Sequence, residues 1–522
     1  MSKIIEKNSG YVLGIDLGTT NSAVAVFKSG AAEHIPIEAS KTMPSVVSVL
    51  RNGDMLVGNS AKGRSIVDPD NTVSSIKRKM GENWEKEFDG LPDKKYTPTD
   101  LSVEILSKIK NSIDENIIEG TAKYAVICVP ANFDDAKKKA TKKAAELANF
   151  SVLWLLEEPV AASYAYALER KRDQTILVYD LGGGTFDVTI LKLNSTDTKT
   201  KRFNVLAKEG IPDLGGDDFD QRLMKRVAND LMKHSGLDIL NLKKDQGISV
   251  NKLLEAQQKL KDAVSNAKHE LTESLNAVID IPNIVHDEEG APHHIDNFEL
   301  SRDHLNEEIG DLVQKTIDTV QTSLDNAKLT VGDIDRIILV GGSTKIPLVK
   351  EMIEKAFKKE PYSDTDPDTA IAKGAAIFGA TLTLPADADT ETIPEKPNFE
   401  FFVDNIVTHH LGIETFEGLF SCLIDKGTDI PEKEPVIATG HYVTPRDNMT
   451  ELAIRVYQSS EQVEYISSEE VKFIGEFFLT GIPPKPKGQE KIIVHFEIDA
   501  QNVLKVTANS SSSSKSLEIK SE

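Results

Sequence analysis

The chain has 522 residues, of which 39% are hydrophobic and 28% charged, and a formal net charge of −22. That length exceeds a single core and predicts two or three domains of a soluble globular protein. The acid excess argues against broad binding to nucleic acid or anionic membranes, and no apolar stretch approaches bilayer length. The polar start, Met1 to Gly10, lacks a signal-peptide apolar core, which predicts a cytoplasmic location. Cys128 and Cys422 are the only cysteines; both sit in apolar or β-like surroundings without ligand spacing, and are expected as buried structural thiols.

In chain order, the first informative segment runs from Val12 through Asp16-Leu17-Gly18-Thr19-Thr20-Asn21 to Phe27. An apolar run, a tight Asp-Leu-Gly turn with hydroxyl residues, and a second alternating run predict a hairpin. Helical periodicity follows in Asp135–Ala148 and Val160–Arg170, and a strand is expected over Ala125–Val129. Leu177 to Leu193 then repeats the first segment, with Asp180-Leu181-Gly182-Gly183-Gly184-Thr185-Phe186-Asp187 as its turn. Two such hairpins predict a duplicated α/β domain with a cleft between the copies. Each turn would aim backbone N–H groups and an acid at the cleft, which suits a nucleoside triphosphate with Mg²⁺. Helices at Leu253–Glu270 and Leu305–Asn326 precede a third glycine turn, Gly341-Gly342-Ser343-Thr344, which leads from the strand Arg336–Val340 into a helix from about Leu348 to Phe357. Such a turn offers backbone for a flat ring to lie against. Alone, each turn fits an ordinary tight turn as well; three in this order favour nucleotide.

The texture changes after Leu384. Residues 386–408 read as a linker, rich in Pro, Asp, Thr and Glu, with a short apolar patch at Phe401-Phe402-Val403. Beyond it, alternating runs at Leu411–Glu414, Leu452–Tyr457, Phe473–Leu479, Ile492–Ile498 and Val503–Thr507 predict a small β-sandwich or barrel. The serines 510–514 read as a hairpin turn leading to Leu517–Lys520. The paired histidines His293-His294 and His409-His410 show no ligand set and are expected as surface or strand residues.

Taken together, the chain resembles the Hsp70 (DnaK-like) chaperone family, within the superfamily that also holds actins and sugar kinases. Besides the three turns, the resemblance rests on Asn71-Thr72-Val73, Ile76-Lys77-Arg78, Val129-Pro130-Ala131-Asn132-Phe133, Glu158-Pro159-Val160-Ala161-Ala162, Leu214-Gly215-Gly216-Asp217-Asp218-Phe219-Asp220, Asp366-Pro367-Asp368 and Leu411-Gly412-Ile413-Glu414-Thr415. It covers almost the whole chain. It implies a nucleotide-binding ATPase domain over 1–385, the linker 386–408, and a β-sandwich substrate-binding domain over 409–522. The chain given stops just after that domain, where typical members continue with a helical lid; without a lid, bound peptide is expected to leave quickly.

By resemblance, Asp16, Asp180 and Asp187 would converge on Mg²⁺ through waters, although each acid could instead cap its own turn. Gly18, Thr19, Thr20, Asn21, Gly182, Gly183, Gly184 and Thr185 would hold phosphates. Lys77, Glu158, Asp187 and Thr185 would be catalytic, with Lys77 orienting the attacking water and Glu158 organising water and Mg²⁺. Gly215, Gly216, Lys268, Gly341, Gly342, Ser343, Lys345 and Asp368 match positions near ribose and adenine. Lys345 stands where the family commonly has arginine, and Ser265 where it has glutamate, so a weaker adenosine clamp is expected. Pro130 and Lys138 match a switch proline and its arginine partner; the plain alternative is a strand-ending proline with a surface lysine. Phe416, Leu419, Ile437, Leu452, Ile454 and Ile482 align with a peptide groove, although alternation alone also fits core.

The resemblance thus implies an ATPase that uses ATP/ADP and Mg²⁺, with K⁺ as a further candidate ion, and binds unfolded or extended polypeptide. A nucleotide-exchange factor and a J-domain protein are candidate partners. Trp154, Glu157 and Val160 replace an arginine, an asparagine and a threonine near the J-domain contact, which removes a charge partner and weakens that expectation. The alternative is an ATP-binding co-chaperone or regulator with little turnover; a small-molecule kinase fits neither the β-domain nor these peptides.

Overall fold

The computed structural model describes residues 8–114, 121–167, 172–195, 200–243, 246–362, 366–385, 388, 390–392, 396–397, 399–431 and 434–510. The serines from 511 onward and Leu517–Lys520 therefore lie outside the described residues.

Both hairpins form as their alternation predicts. Asn8–Asp16 pairs antiparallel with Asn21–Lys28, with Asp16 opposite Ala23. Gln174–Leu181 pairs with Phe186–Ser195, with Asp180 opposite Asp187. Each hairpin is the middle of its own mixed sheet, and in each the first strand has a parallel partner on its other side. That partner is Thr121–Val129 in the first copy and Arg336–Val340 in the second. Parallel neighbours need crossover helices, which cover the sheets and place both turns at one edge. Three large apolar clusters and a small alanine cluster fill the layers among the described residues. One contains Leu13, Ile15 and Ile127, a second contains Leu177, Tyr179 and Leu339, and the third joins the copies through Val126, Ala161, Val178 and Ala375. The duplication is therefore structural.

The predicted helices appear as Asp135–Leu147, Glu158–Ala167, Val250–Glu270, Arg302–Asn326 and Pro347–Phe357. Residues 168–170, assigned to the second of these, lie outside the described residues. After residue 409 two antiparallel sheets face each other. One orders Phe420–Ile424, His410–Glu414, Glu451–Ser459 and Val471–Thr480; the other Val436–Val443, Lys491–Ile498 and Leu504–Ser510. Their inward residues, including Ile413, Val456, Leu479, Val494 and Phe496, form one core, the sandwich that alternation predicts.

Two readings need correction. The expected linker contains a strand, Glu400–Ile406, which adds parallel to Thr200–Ile211 and extends the second sheet. The reason is aromatic: Phe401 is 3% exposed and packs on Tyr164, Phe203 and Phe399 with centroid separations of 4.6, 6.0 and 5.1 Å. Burying one phenyl ring contributes about 2–3 kcal/mol, enough to hold a short strand in register. A composition shift reports polarity along the chain; it does not report a ring that finds its pocket 200 residues away.

The second correction concerns cysteine. Cys128 is fully buried beside Asp16 in the first sheet, as expected, but Cys422 is exposed. A bulge in the pairing of Phe420–Ile424 with His410–Glu414, between Leu411/Ile424 and Gly412/Cys422, accompanies its outward placement.

Candidate functional site

The two Asp-Leu-Gly turns and the Gly-Gly-Ser-Thr turn meet at one cleft. Their contact is backbone-close: a side chain at Gly183 would collide with Thr20 of the opposite hairpin. Gly341 has φ of +83°, and a Cβ there would strike the carbonyl of Leu181. Only glycine combines that left-handed φ with such an approach. Ser343 Oγ donates to Gly182 O at 2.9 Å, tying the third turn to the second. Gly215 and Gly216 begin the helix Gly216–Ser235, whose N-terminus is set by Asp218 accepting from Gly215 N at 2.8 Å. Thus Thr19, Thr20, Gly182, Gly183, Gly184, Gly215, Gly216, Gly341 and Ser343 share one backbone-lined cleft, with a helix N-terminus and its positive dipole end beside it.

On the cleft floor, Lys77 lies on the short 3-10 turn Ile76–Lys79, which is introduced by Ser75 in the left-handed region. Within the basic stretch Lys77-Arg78-Lys79, Lys77 is buried and its Nζ reaches Glu158 Oε1 at 2.5 Å. Its neighbour Arg78 bonds Asp218 at 2.8 Å, and Ser75 Oγ bonds Asp217 at 2.8 Å, closing one end of the cleft. Asp187 accepts from Asn132 Nδ2 at 2.8 Å, and the Thr185 hydroxyl also bonds it. Asn132 carries no assigned role in the sequence reading; a polar amide two residues after Pro130, just past the strand Thr121–Val129, is the available signal.

Charge is unbalanced here. Asp16, Asp180, Asp187 and Glu158 surround the single ammonium of Lys77. Burial, then the nearby Glu158, pushes Asp16 up to about 7 and Asp187 up to about 7, with Lys77 opposing. Asp180 is raised well above the usual carboxylate range by burial and by Glu158, Asp187 and Asp16. Burial alone would lower Lys77, but Glu158, Asp16 and Asp180 raise it. Asp180 Oδ2 is buried without a hydrogen-bond partner. Three hard carboxylates, one with an unpartnered oxygen, fit an octahedral Mg²⁺ that keeps several waters.

Further along the cleft, Lys268 is buried between Asp220, at 2.8 Å, and Gly216 O, at 3.0 Å. Lys345 pairs with Asp368 at 2.6 Å on the half-exposed rim, and Lys41 reaches across to Asp366 at 2.7 Å. Ser265, where the family has an acid, is half-buried on the same helix as Lys268. Gly18 and Asn21 complete the first turn, and Gly342 the third.

The proposed switch lysine also changes character. Lys138 is 2% exposed rather than a surface lysine. It lies 3.9 Å from Glu157 and donates to Asn502 O, on the β-domain, at 3.3 Å. Glu157 also binds the ammonium of Lys208 and accepts from Asn405 Nδ2 at 3.1 Å. Sequence reading missed Lys208 and Asn405, since nothing local marks them. Trp154 packs on Phe378 at 5.5 Å, and Val160 is buried.

In the β-domain the six groove candidates divide. Phe416 and Ile437 are each 64% exposed, and Leu419 and Leu452 are half-buried. Ile454 and Ile482, at 4% and 2%, belong to the sandwich core, because the alternation of Glu451–Ser459 turns Ile454 inward with Val456. The groove as drawn loses those two residues. Among the paired histidines, His293 bonds Asp287 at 3.0 Å and His294 accepts from Asn283 N at 3.0 Å. Among the described residues no helix is long and apolar enough to cross a membrane.

A duplicated α/β fold with glycine turns facing each other, followed by a β-sandwich, defines an actin-like ATPase arrangement joined to a second domain. Comparison with known proteins gives the family. The profile of the Hsp70 protein family matches residues 12–90 and 89–522. Relatives include the proteins named Chaperone protein DnaK from Thermotoga petrophila and Thermotoga neapolitana. Each is 40% identical over 508 residues, which is 97% of this chain and 79% of the relative. The chain belongs to the Hsp70 family, whose members are ATPases that act as chaperones.

Proposed function

We propose that this chain binds Mg²⁺–ATP in the cleft, hydrolyses it to ADP and phosphate, and uses the β-domain to hold extended polypeptide. The observation that carries the reading is the set of four acids around Lys77, at the meeting point of three glycine turns. Mg²⁺ supplies charge neutralisation on the phosphate oxygens when bound, and Asp16, Asp180 and Asp187 would hold it through waters. The amides of Gly182–Gly184 and the hydroxyls of Thr19 and Thr20 cradle phosphate oxygens. Lys77, fixed by Glu158, faces the terminal phosphoryl group and holds the attacking water in line; Thr185 and Asp187 orient it. Catalysis of this kind is positioning and electrostatics, with no covalent intermediate.

Lys268 and Asp368 would bind the nucleoside, with the Lys345 ammonium replacing a stacking guanidinium. We assign 1–385 to the ATPase domain and 409–522 to the β-domain, with Glu400–Ile406 docked on the former. Phe416, Leu419, Ile437 and Leu452 support a peptide surface, because large apolar side chains stand exposed or half-exposed there. A cytoplasmic setting fits this reading.

The test is ATP turnover by the full chain with and without an extended apolar peptide. Lys77→Ala is expected to lower turnover by about 10²-fold or more, while ATP binding survives. Wild-type protein that binds ATP but does not hydrolyse it would refute the catalytic reading and make the chain a nucleotide-binding regulator.

A further inference from the structure

A second cluster of ligand-type side chains lies outside the cleft. His410 Nδ1, Cys422 Sγ and an Asp425 carboxylate oxygen all lie within 4.8 Å of one another. The separations are 3.2 Å from His410 Nδ1 to Asp425 Oδ1, 3.9 Å from His410 Nδ1 to Cys422 Sγ, and 3.5 Å from Cys422 Sγ to Asp425 Oδ1. Zinc bonds of about 2.0–2.3 Å at tetrahedral angles put nitrogen, oxygen and sulfur ligands about 3.3–3.6 Å apart. The three atoms already stand close to that triangle.

A Cys-His-Asp relay is a different chemistry, and the geometry does not serve it. A relay needs the acid and the thiol on opposite ring nitrogens, but both sit on Nδ1. A shared point facing all three atoms is what a metal requires. The fold also builds the cluster from three separate pieces: the start of His410–Glu414, the middle of Phe420–Ile424, and the turn after it. The bulge opposite Leu411 and Gly412 lies where the Cys422 and Asp425 side chains gather beside His410.

We propose that His410, Cys422 and Asp425 form a Zn²⁺ site with three protein ligands and an open fourth position for water. The sulfur, imidazole and carboxylate donors suit Zn²⁺ better than Mg²⁺ or Ca²⁺, which take oxygen. The Cys422 thiol releases its proton to solvent as the sulfur–metal bond forms, and His410 Nδ1 gives up its long contact with Lys426 N, now 3.3 Å. The site would brace the turn 425–428. That turn meets the ATPase domain through Lys426 and Glu209, at 3.2 Å, and holds Val407 through Gly427 N to Val407 O at 2.8 Å. Metal binding would therefore stiffen the point where the docked strand enters the sandwich.

The experiment titrates the full chain with Co²⁺ in excess Mg²⁺, which occupies the carboxylate cleft. A near-ultraviolet thiolate-to-metal band and a tetrahedral visible spectrum are expected, saturating at about one equivalent and lost on adding Zn²⁺. Cys422→Ser should abolish the band even though Cys128 remains, because that thiol is fully buried. His410→Ala and Asp425→Asn should each weaken binding by at least about tenfold. The metal-free variants should unfold at the wild-type midpoint, which separates loss of a ligand from loss of the fold. The proposal is overturned if no thiolate band appears, or if the band persists unchanged in both His410→Ala and Asp425→Asn, which would mark a lone reactive thiol.

Discussion

Glu157 and Glu158 are neighbours in sequence and serve opposite electrostatic situations. Glu158, the first residue of its helix, faces the cleft, where four carboxylates share the one ammonium of Lys77. Glu157, the last residue of its strand, faces the seam, where two buried ammonium groups, Lys138 and Lys208, share one carboxylate. Asp16, Asp180 and Asp187 in the cleft are pushed up, and Glu157 is held below its ordinary range by Lys208 and Lys138 against the opposing cost of burial. The cleft has negative charge to spare for a divalent cation. The seam has positive charge to spare, and polar groups brought by docking satisfy it: Asn405 from the strand Glu400–Ile406, and the carbonyl of Asn502 from the sandwich. Under the proposed function, one site is completed by a ligand and the other by a domain.

The sharpest way to break this comparison is Glu157→Gln, which keeps the shape and removes the carboxylate that pairs with both buried lysines. Leaving such charges uncompensated costs about 3–5 kcal/mol. Urea unfolding should show a loss of that size, and hydrogen exchange should show faster opening of Glu400–Ile406. A loss below about 1 kcal/mol would mean that the carboxylate is not what balances the seam.

The two regions also differ in how well they can be read from sequence. The cleft was legible because its parts are local: Asp16, Gly18 and Thr19 lie in one turn, and Asp180 to Asp187 in another. What local reading missed there was the second layer, such as Asn132 on Asp187, which belongs to a different strand end. The seam was almost illegible. Lys208 lies in mid-strand, Asn405 in what reads as a linker, and Glu157 beside an acid that draws all the attention; only the fold brings them together. The same limit sent Ile454 to the groove and hid the approach of Cys422 to His410. Period-two alternation says that a residue faces one side, and only the packed sandwich says which side is core.

A pH titration sharpens the charge assignment with a smaller effect. Because the Glu157 carboxyl is lowered in the folded protein, its stabilisation is complete above the unfolded-state value of 4.5. It is lost as pH falls through the lower folded value. The stability gap between wild type and Glu157→Gln should therefore be constant near neutrality and narrow only below about pH 4.5. Equal pH slopes for the two proteins in that acid range would assign the lowered carboxyl elsewhere.

The smallest effect belongs to the rim of the seam, and it tests whether docking rests on the buried network or on surface pairs. Lys472 reaches Asp134, the N-cap of the helix Asp135–Leu147, at 3.1 Å, but its side chain is 64% exposed. An exposed pair of this kind contributes less than about 1 kcal/mol and is screened by salt. Asp134 keeps its capping bond to Lys137 N at 2.9 Å without it. Lys472→Ala should consequently leave unfolding within about 1 kcal/mol of wild type and leave exchange at Glu400–Ile406 slow. If Lys472→Ala opens that strand as readily as Glu157→Gln does, the surface pair holds the domains together, and the buried charges around Glu157 are a consequence of docking instead of its cause.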